Sequence, residues 1–172
     1  KLAAMSAQPT SPLPRRRLLA QLPAWCGALL LAACGSAPPQ RPTPLPSHLT
    51  HEQASDIAIH ALGLVGTPYR YGGNTPEGGF DCSGLIGYVY RSRAGVAPPR
   101  TVAQLNGFGA PVDGDDLRTG DLVVFGGARP THAGIYVGQG RFVHAPSTGG
   151  EVRLDRLNGP YWSRQTVAFR RP

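Results

Sequence analysis

The order in which apolar residues repeat along the chain is the feature that most restricts its fold. Between residues 50 and 93, apolar side chains recur at helical spacing, first after Thr50 and again after Asp81. Beyond Gly120 they form short runs bounded by glycine and other turn residues, which is typical of strands. Five strands are predicted, at Leu122–Phe125, Ala133–Val137, Arg141–His144, Val152–Leu154 and Gln165–Arg170. Helices followed by an antiparallel sheet predict an α+β domain.

The predicted helices begin at residues suited to cap them. Thr50, with Gln53 three residues later, forms a capping-box pattern. Asp81 is a good N-cap for a second helix from about Cys82 to Arg93. A short third helix is predicted over Thr101–Leu105. Cys82 therefore falls in the first turn of a helix.

Lysine is almost absent from the chain, because 16 of the 17 basic residues are arginine and the one lysine is Lys1. This excludes a P-loop, a Schiff-base enzyme and a kinase, since each needs an internal lysine. The glycine-rich segment from Tyr69 to Asp81 also lacks the following hydroxyl residue of a phosphate-binding loop. Its glycines are expected to let the backbone approach a substrate or a neighbouring segment closely.

The first 33 residues have the pattern of an export leader. Three arginines, Arg15 to Arg17, precede an unbroken apolar run of ten residues from Ala24 to Ala33. A membrane-spanning helix needs about 20, so this run is interpreted as the apolar core of a signal peptide. The segment Leu31–Ser36 resembles the lipobox of bacterial lipoproteins, in which the leader is removed and the cysteine, here Cys34, is diacylated. Ordinary secretion with cleavage after Ala37 is the alternative.

The segment from Gly35 to Leu49 is predicted to be a tether, because five prolines favour an extended path of roughly 45 Å. The predicted organisation is thus a signal peptide over 1–33, a lipidated cysteine and tether over 34–49, and a folded domain over 50–172. Removing residues 1–33 takes away four positive charges and no negative ones, so the net charge falls from +7 to +3. That mild charge gives no support to nucleic acid as a partner.

The cysteines leave one candidate nucleophile. Cys26 belongs to the leader and Cys34 is the predicted lipidation site, so Cys82 is alone in an exported, oxidising compartment. The positive end of the helix dipole and free backbone N–H groups favour a thiolate there, while the charge of Asp81 opposes it. A small buried apolar residue is the structural alternative, and a Cys34–Cys82 disulfide is possible only if the lipobox interpretation is wrong.

Two histidines are predicted to share one face of a hairpin. If Val137 pairs with Arg141 across a three-residue loop, residue 134 lies opposite residue 144. Alternation then makes His132 and His144 diagonal neighbours, about 7–8 Å apart at the backbone. A zinc site with Cys82 is the competing hypothesis, but it lacks the close ligand pairs common in structural zinc sites. His48, His51 and His60 are interpreted as structural, and neither a metal nor a cofactor is predicted.

An ordered set of short motifs resembles one known family, the NlpC-like cysteine peptidases of bacterial cell walls, within the papain-like group. The motifs cover about residues 50 to 171 and run as follows: Gly66–Gly73 (GTPYRYGG), Phe80–Leu85 (FDCSGL), Pro99–Thr101 with Gln104, Gly120–Val123 (GDLV), Thr131–Gly138 (THAGIYVG) and Phe142–Ala145 (FVHA).

The resemblance implies a fold, a chemistry and roles for particular residues. The fold would be a papain-like domain whose N-terminal helices pack on an antiparallel sheet. Cys82 would be the nucleophile, His132 the general base and His144 the residue that orients it. Tyr69 would help to form the oxyanion site. Two further residues, Asp81 and Ser83, would contact amino or carboxyl groups of the substrate.

The implied activity is cleavage of peptide bonds in peptidoglycan stem peptides or cross-links. With a lipid on Cys34, the protein is expected in the cell envelope, anchored to the outer membrane and facing the periplasm. Two alternatives stay open: a catalytically silent peptidoglycan-binding scaffold, and an amidase or acyltransferase with the same cysteine–histidine pair. The sequence leaves open which bond is cut, the oligomeric state and any regulatory partner.

Overall fold

The computed structural model describes residues 49–172. The predicted leader, Cys34 and all of the tether except its last residue lie outside that range. The described residues form three α-helices, α1 (His51–Gly63), α2 (Cys82–Ala94) and α3 (Val102–Leu105), together with eight strands. The strands are β1 (Asn74–Thr75), β2 (Gly79–Phe80), β3 (Ala110–Val112), β4 (Leu122–Phe125), β5 (His132–Gly138), β6 (Arg141–His144), β7 (Arg153–Arg156) and β8 (Val167–Arg171).

The strands form two sheets. β1 and β2 make a small hairpin, and the other six lie in the order β3-β8-β4-β5-β6-β7 with every neighbouring pair antiparallel. The predicted α+β class is confirmed, since the helices come first and pack on an antiparallel sheet. All five predicted strands are present, with ends that shift by at most two residues. The β1–β2 hairpin and β3 were not predicted, because each of these strands has only two or three residues and shows no alternation of its own.

The cap predicted for α1 is present. The Thr50 side-chain oxygen accepts the Gln53 backbone N–H at 3.1 Å, and the Gln53 side chain accepts the Thr50 N–H at 2.9 Å. These bonds satisfy two N–H groups that the first helical turn leaves free. The helix ends at Gly63 rather than continuing to Pro68, and it buries Ile57 and Ala61 against the core.

The start of α2 is fixed by its cap and by a close backbone approach. Asp81 accepts the Gly84 N–H at 2.6 Å, as its position as N-cap predicts. A Cβ atom on Gly84 would lie 1.9 Å from the Gly73 carbonyl oxygen, so only glycine lets the first turn of the helix rest on the glycine-rich segment. Within the glycine-rich segment itself, a Cβ atom on Gly73 would lie 2.3 Å from the Gly79 carbonyl oxygen. These glycines therefore let neighbouring backbone approach closely, which is one of the two roles predicted for them.

The β5–β6 register agrees with the prediction, but the turn differs. Ile135 pairs with Val143, which places residue 134 opposite residue 144 as expected. The turn itself has two central residues, Gln139 and Gly140, with φ of 54° and 67°, and these left-handed values are typical of a type I′ hairpin turn. A bulge between Tyr136 and Gly138 absorbs the extra residue.

The six-stranded sheet buries both of its faces. Against the helices it presents aliphatic residues such as Leu122, Ile135 and Val143. The opposite face carries a second cluster around Phe125 and Phe142, covered by the segment that follows β7. His132 and His144 lie on this aromatic side of the sheet, as their alternation predicts. Within residues 49–172 the structure contains no helix with the length and hydropathy needed to cross a bilayer.

Candidate active site

Cys82 lies where the start of α2 meets the start of β5. It is the first residue of the helix, its thiol is free and the residue is partly buried. The backbone N–H groups of Ala133, Ser83 and Cys82 itself face the sulfur and act to lower its pKa. Because Ala133 directly follows His132, the sulfur lies against the strand end that carries this histidine.

The predicted preference of the Cys82 thiol for its charged form is wrong in sign. Burial raises its pKa above the usual value, and the negative charge of Asp81 raises it further. The three backbone N–H groups lower the pKa but do not offset these two effects. The backbone N–H groups at the helix start therefore stabilise the thiolate by less than the loss of water destabilises it. The sulfur thus needs a base to become a nucleophile at neutral pH.

The two predicted histidines are in direct contact. His132 Nε2 lies 2.8 Å from His144 Nδ1, with the ring planes at 83° to each other. His144 has no exposed surface, whereas His132 is partly exposed at the end of β5. The contact occupies one nitrogen of His132, which leaves Nδ1 as the nitrogen available to another group.

Both imidazoles are neutral in the folded protein at neutral pH. Burial lowers the pKa of His132 to about 3, and the neighbouring His144 lowers it further. Burial likewise lowers the pKa of His144 to about 4, although the nearby Asp155 carboxylate acts in the opposite direction. A neutral His132 has one unprotonated nitrogen, which is the form that a general base requires.

Two residues that the sequence did not single out complete this cluster, Asp155 and Trp162. Asp155 Oδ2 lies 3.1 Å from His144 Nε2 and accepts the Trp162 indole N–H at 2.8 Å. The indole also stacks on His132, with centroids 5.4 Å apart and planes 24° apart, and meets His144 edge-on. Phe125 also stacks on His132, with centroids 6.4 Å apart and planes 26° apart. The imidazole of His132 is thus enclosed by aromatic surface, which accounts for its loss of water.

Asp81 and Ser83 hold the start of α2 together. One Asp81 oxygen accepts from Gly84 and lies 2.9 Å from the Ser83 hydroxyl, while the other accepts the Gly72 N–H at 2.9 Å. Arg100 adds a longer contact at 3.4 Å. Ser83 is buried, and its hydroxyl also lies 2.9 Å from the Arg100 carbonyl. Both side chains therefore have partners within the protein, and their contact with substrate stays a prediction.

Tyr69 forms a parallel bridge with Phe80, two residues before Cys82. Burial raises the pKa of the Tyr69 phenol, and the charges of Asp81 and Cys82 raise it further, so its ring is close to both groups. Its backbone N–H donates to the Gly150 carbonyl at 2.7 Å, which ties the glycine-rich segment to the loop before β7. The structure thus brings Tyr69 to the nucleophile, while its part in an oxyanion site stays a prediction.

A cavity of about 800 Å³ opens beside His132. Its walls include both histidines, and Tyr161, 64% exposed, is one of the aromatic residues that line it. Arg153 lines the cavity as well and bonds Asp155 at 2.7 Å. The cavity lining includes neither Cys82 nor Tyr69 nor Asp81, so the histidine pair is the part of the site that borders this cavity.

The zinc alternative does not fit the geometry. In the described part of the chain, no three histidine, cysteine or acidic side chains converge in a way that could hold a metal ion. The nitrogens of His132 and His144 that face each other, at 2.8 Å, bind one another and leave no space for an ion between them.

A model of the NlpC/P60 family matches residues 66–171, more than half of the chain. The chain belongs to the NlpC/P60 family. The resemblance seen in the short motifs is thereby confirmed, and the helix-and-sheet architecture described above is an NlpC/P60 domain.

Two curated relatives come from Escherichia coli (strain K12). "Murein DD-endopeptidase MepH" is 39% identical over 126 residues, which are 70% of this chain and 46% of the relative. "Probable endopeptidase NlpC" is 36% identical over 156 residues, which are 84% of this chain and 94% of the relative. The NlpC/P60 chain described here thus spans less than half the length of MepH but nearly all of NlpC.

Two solved NlpC/P60 structures have the same fold. The domain of the peptidoglycan hydrolase SagA superposes with a TM-score of 0.58 at 32% identity, covering 67% of this chain and 96% of that one. RipD from Mycobacterium tuberculosis, described as a non-catalytic protein adapted to peptidoglycan binding, superposes with a TM-score of 0.59 at 25% identity, covering 71% and 98%. The fold is therefore shared by a hydrolase and by a protein without catalysis.

The sequence carried a weak signal for Asp155 and none for Trp162. Continuing the predicted strand Val152–Leu154 by one residue, in register with β6, would have placed Asp155 opposite Phe142 and on the same face as His144. Trp162 reaches the histidines from a short 3₁₀ helix after β7. No periodic pattern relates such a segment to a strand twenty residues away.

Proposed function

We propose that this NlpC/P60 protein is a cysteine endopeptidase that hydrolyses peptide bonds in peptidoglycan stem peptides or cross-links, with Cys82 as nucleophile and His132 as base. The observation that carries the proposal is the contact of the Cys82 sulfur with the first residues of β5, beside a neutral, enclosed His132 held by His144. The relatives support the substrate class, since one is a murein endopeptidase and one structure is a peptidoglycan hydrolase.

The reaction begins with a proton transfer. The thiol proton of Cys82 passes to Nδ1 of His132, because Nε2 is occupied by His144. The resulting thiolate attacks the carbonyl carbon of the scissile bond, and a negative charge develops on the carbonyl oxygen. The pKa of Cys82 is raised and that of His132 is lowered, so the proton moves as the new bond forms rather than before substrate arrives.

The backbone at the start of α2 can stabilise the developing charge. The N–H groups of Cys82 and Ser83 lie in the first helical turn, where no helical acceptor is available, and both face the sulfur. Asp81 already caps the next N–H, that of Gly84. Two free donors beside the nucleophile are the arrangement that stabilises an oxyanion.

His132 then completes the first half of the reaction. It donates its proton to the leaving amine as the C–N bond breaks, which leaves a thioester on Cys82. Water attacks the thioester and His132 accepts a proton from that water. The C–S bond then breaks, and His132 returns the proton to the departing sulfur, which restores the thiol and the neutral imidazole. No metal or cofactor takes part in the proposed steps.

The position of His132 also orients the substrate. Since the leaving amine takes its proton from this ring, the leaving half of the substrate lies on the His132 side, in the cavity lined by Tyr161 and Arg153. The acyl half then lies on the side of Tyr69 and Asp81. Arg153 would favour a leaving group that carries a carboxylate.

Digestion of purified peptidoglycan tests the proposal. The wild-type protein should release new muropeptide fragments, and mass spectrometry of defined muropeptides should identify the cleaved bond. Cys82→Ala should release none, whereas Ser92→Ala, which changes an exposed residue on the same helix, should match the wild type. Identical fragment patterns for wild type and Cys82→Ala would rule out the enzyme, and uncut stem peptides with a transferred acyl group would indicate a transferase.

A peptidoglycan-binding scaffold is the second candidate, because RipD combines this fold with loss of catalysis. The contact between His132 and His144, and the position of Cys82 beside Ala133 at the start of the same strand, favour the enzyme. A scaffold would bind insoluble peptidoglycan in a pull-down and release no fragments, and Cys82→Ala would bind equally well.

We also propose that Cys34 carries lipid and holds the domain at the outer membrane, facing the periplasm. The support comes from the lipobox-like segment Leu31–Ser36. Labelled palmitate should be incorporated into the wild type and not into Cys34→Ala, and the wild type should fractionate with outer membranes. A label that persists in the variant would overturn the proposal.

A further inference from the structure

Asp155 is the acceptor at the end of the histidine pair. It lies on β7, on the same face as His144, and its side chain is 18% exposed. Its Oδ2 atom is close to three donors: the Arg153 guanidinium at 2.7 Å, the Trp162 indole at 2.8 Å and His144 Nε2 at 3.1 Å. Burial alone would raise the pKa of Asp155, but the hydrogen bonds from Trp162 and Arg153 outweigh it and hold the pKa below its usual value. Asp155 is therefore a carboxylate at neutral pH and can only accept.

The buried nitrogen of His144 has no alternative partner in residues 49–172. His144 Nε2 is fully enclosed and makes no straight hydrogen bond, so the 3.1 Å approach of Asp155 is bent. Even so, an N–H in this position points its positive end at the carboxylate. An unprotonated nitrogen would instead set its lone pair against a negative charge in a water-poor site, which is much less favourable.

We propose that Asp155 is a positioning residue that selects the ring tautomers of His144 and His132, so that His132 turns an unprotonated Nδ1 toward Cys82. A neutral imidazole has one N–H. If His144 carries hydrogen on Nε2, its Nδ1 must accept the bond from His132. His132 then carries hydrogen on Nε2, and its Nδ1 is free to take the thiol proton.

Without the Asp155 carboxylate, His144 and His132 can both adopt the other ring tautomer. His144 Nδ1 could then donate to His132 Nε2, and His132 would present an N–H to the sulfur. That form cannot accept the thiol proton. A straight hydrogen bond to a charged group shifts such an equilibrium by about 10- to 100-fold. Because this contact is bent, loss of Asp155 should reduce kcat by about 10-fold, the lower end of that range, while KM changes little.

The inference rests on the proposed function, since a tautomer matters only if His132 acts as a base, but its first readout does not depend on activity. Nitrogen-15 NMR of the imidazoles separates protonated from unprotonated ring nitrogens. In wild type, His132 and His144 should both carry hydrogen on Nε2. In Asp155→Leu a substantial share of both rings should carry it on Nδ1. Unchanged ring tautomers in that variant would overturn the inference, even if the wild type is an active peptidase.

Three further variants separate positioning from folding. Asp155→Asn keeps a carbonyl acceptor and should lose less activity than Asp155→Leu. Asp116→Leu removes an exposed carboxylate that also has two arginine partners, and it should keep wild-type tautomers and activity. In a His144→Asn background, where the amide carbonyl can accept the His132 N–H without help, adding Asp155→Leu should cost less than about threefold in kcat. A full additional loss in that background would mean that Asp155 acts only by stabilising the fold.

Discussion

Acidification should destabilise this protein through its two enclosed histidines. The pKa of His132 is about 3 and that of His144 about 4 in the folded state, against about 6.5 in an unfolded chain. The unfolded state therefore binds more protons between about pH 4 and 6.5, and lowering the pH in that range favours unfolding. Between pH 7 and pH 5, each ring should lower the free energy of unfolding by about 2 kcal/mol, or by about 4 kcal/mol for the pair.

This decrease in the free energy of unfolding depends little on the exact folded-state pKa values, because any value well below 5 gives nearly the same result. His60, whose pKa burial also lowers, adds a smaller effect of the same sign because it is less enclosed. Asp155 and Asp116 have lowered pKa values and so titrate below this range. The pH 5 to 7 range thus isolates the histidines.

Urea unfolding at pH 5, 6 and 7, followed by tryptophan fluorescence and circular dichroism, measures the effect. The double variant His132→Gln with His144→Asn should lose most of the pH dependence, while Ser92→Ala should keep it. Titration of the two ring signals by NMR is a second readout that needs no variant. A decrease of less than about 1 kcal/mol from pH 7 to pH 5, or ring pKa values near 6.5, would refute the enclosed, neutral histidine pair.

Two other substitutions test how the site is held. Gly84→Ala places a Cβ 1.9 Å from the Gly73 carbonyl oxygen, so the free energy of unfolding should fall by about 3 kcal/mol or more. Gly63→Ala is the control, because a Cβ atom there has no neighbour within 4 Å, and it should be neutral or stabilise the protein by up to about 1 kcal/mol. Equal effects of the two substitutions in urea unfolding would contradict the close approach of Gly84 to Gly73. Trp162→Phe keeps an aromatic ring over the histidines but removes the N–H that Asp155 accepts, so kcat should fall by about 3- to 10-fold with an unchanged fold. Wild-type kcat in that variant would show that the indole acts by packing alone.

Local rules were enough to predict the helix starts and the hairpin face. The Thr50 and Asp81 caps depend on residues three positions apart, and both are present in the structure. The placement of His132 and His144 on one face needed only the two-residue period of strands and the position of the turn. The turn was wrong by one residue, yet the bulge before Gly138 restored the register, because one buried face fixes the register more strongly than a loop length does.

Long-range contacts and burial explain what the sequence did not predict. The helix dipole at Cys82 is readable from its position after Asp81, but the loss of water around the sulfur depends on β5, some fifty residues later. Asp155 and Trp162 reach the histidines only because β7 pairs with β6 and a 3₁₀ helix folds back over the sheet. Neither event leaves a periodic signal in the chain.

Trapping of the acyl-enzyme determines whether Cys82 is the nucleophile. The purified protein is mixed with a defined muropeptide, quenched in acid within milliseconds to seconds, and digested for mass spectrometry. The peptide that contains Cys82 should carry a mass equal to the acyl half of the cleaved substrate, and the adduct should be absent from Cys82→Ala. Fragments that accumulate with no adduct at Cys82, and at the same rate in the variant, would contradict the account.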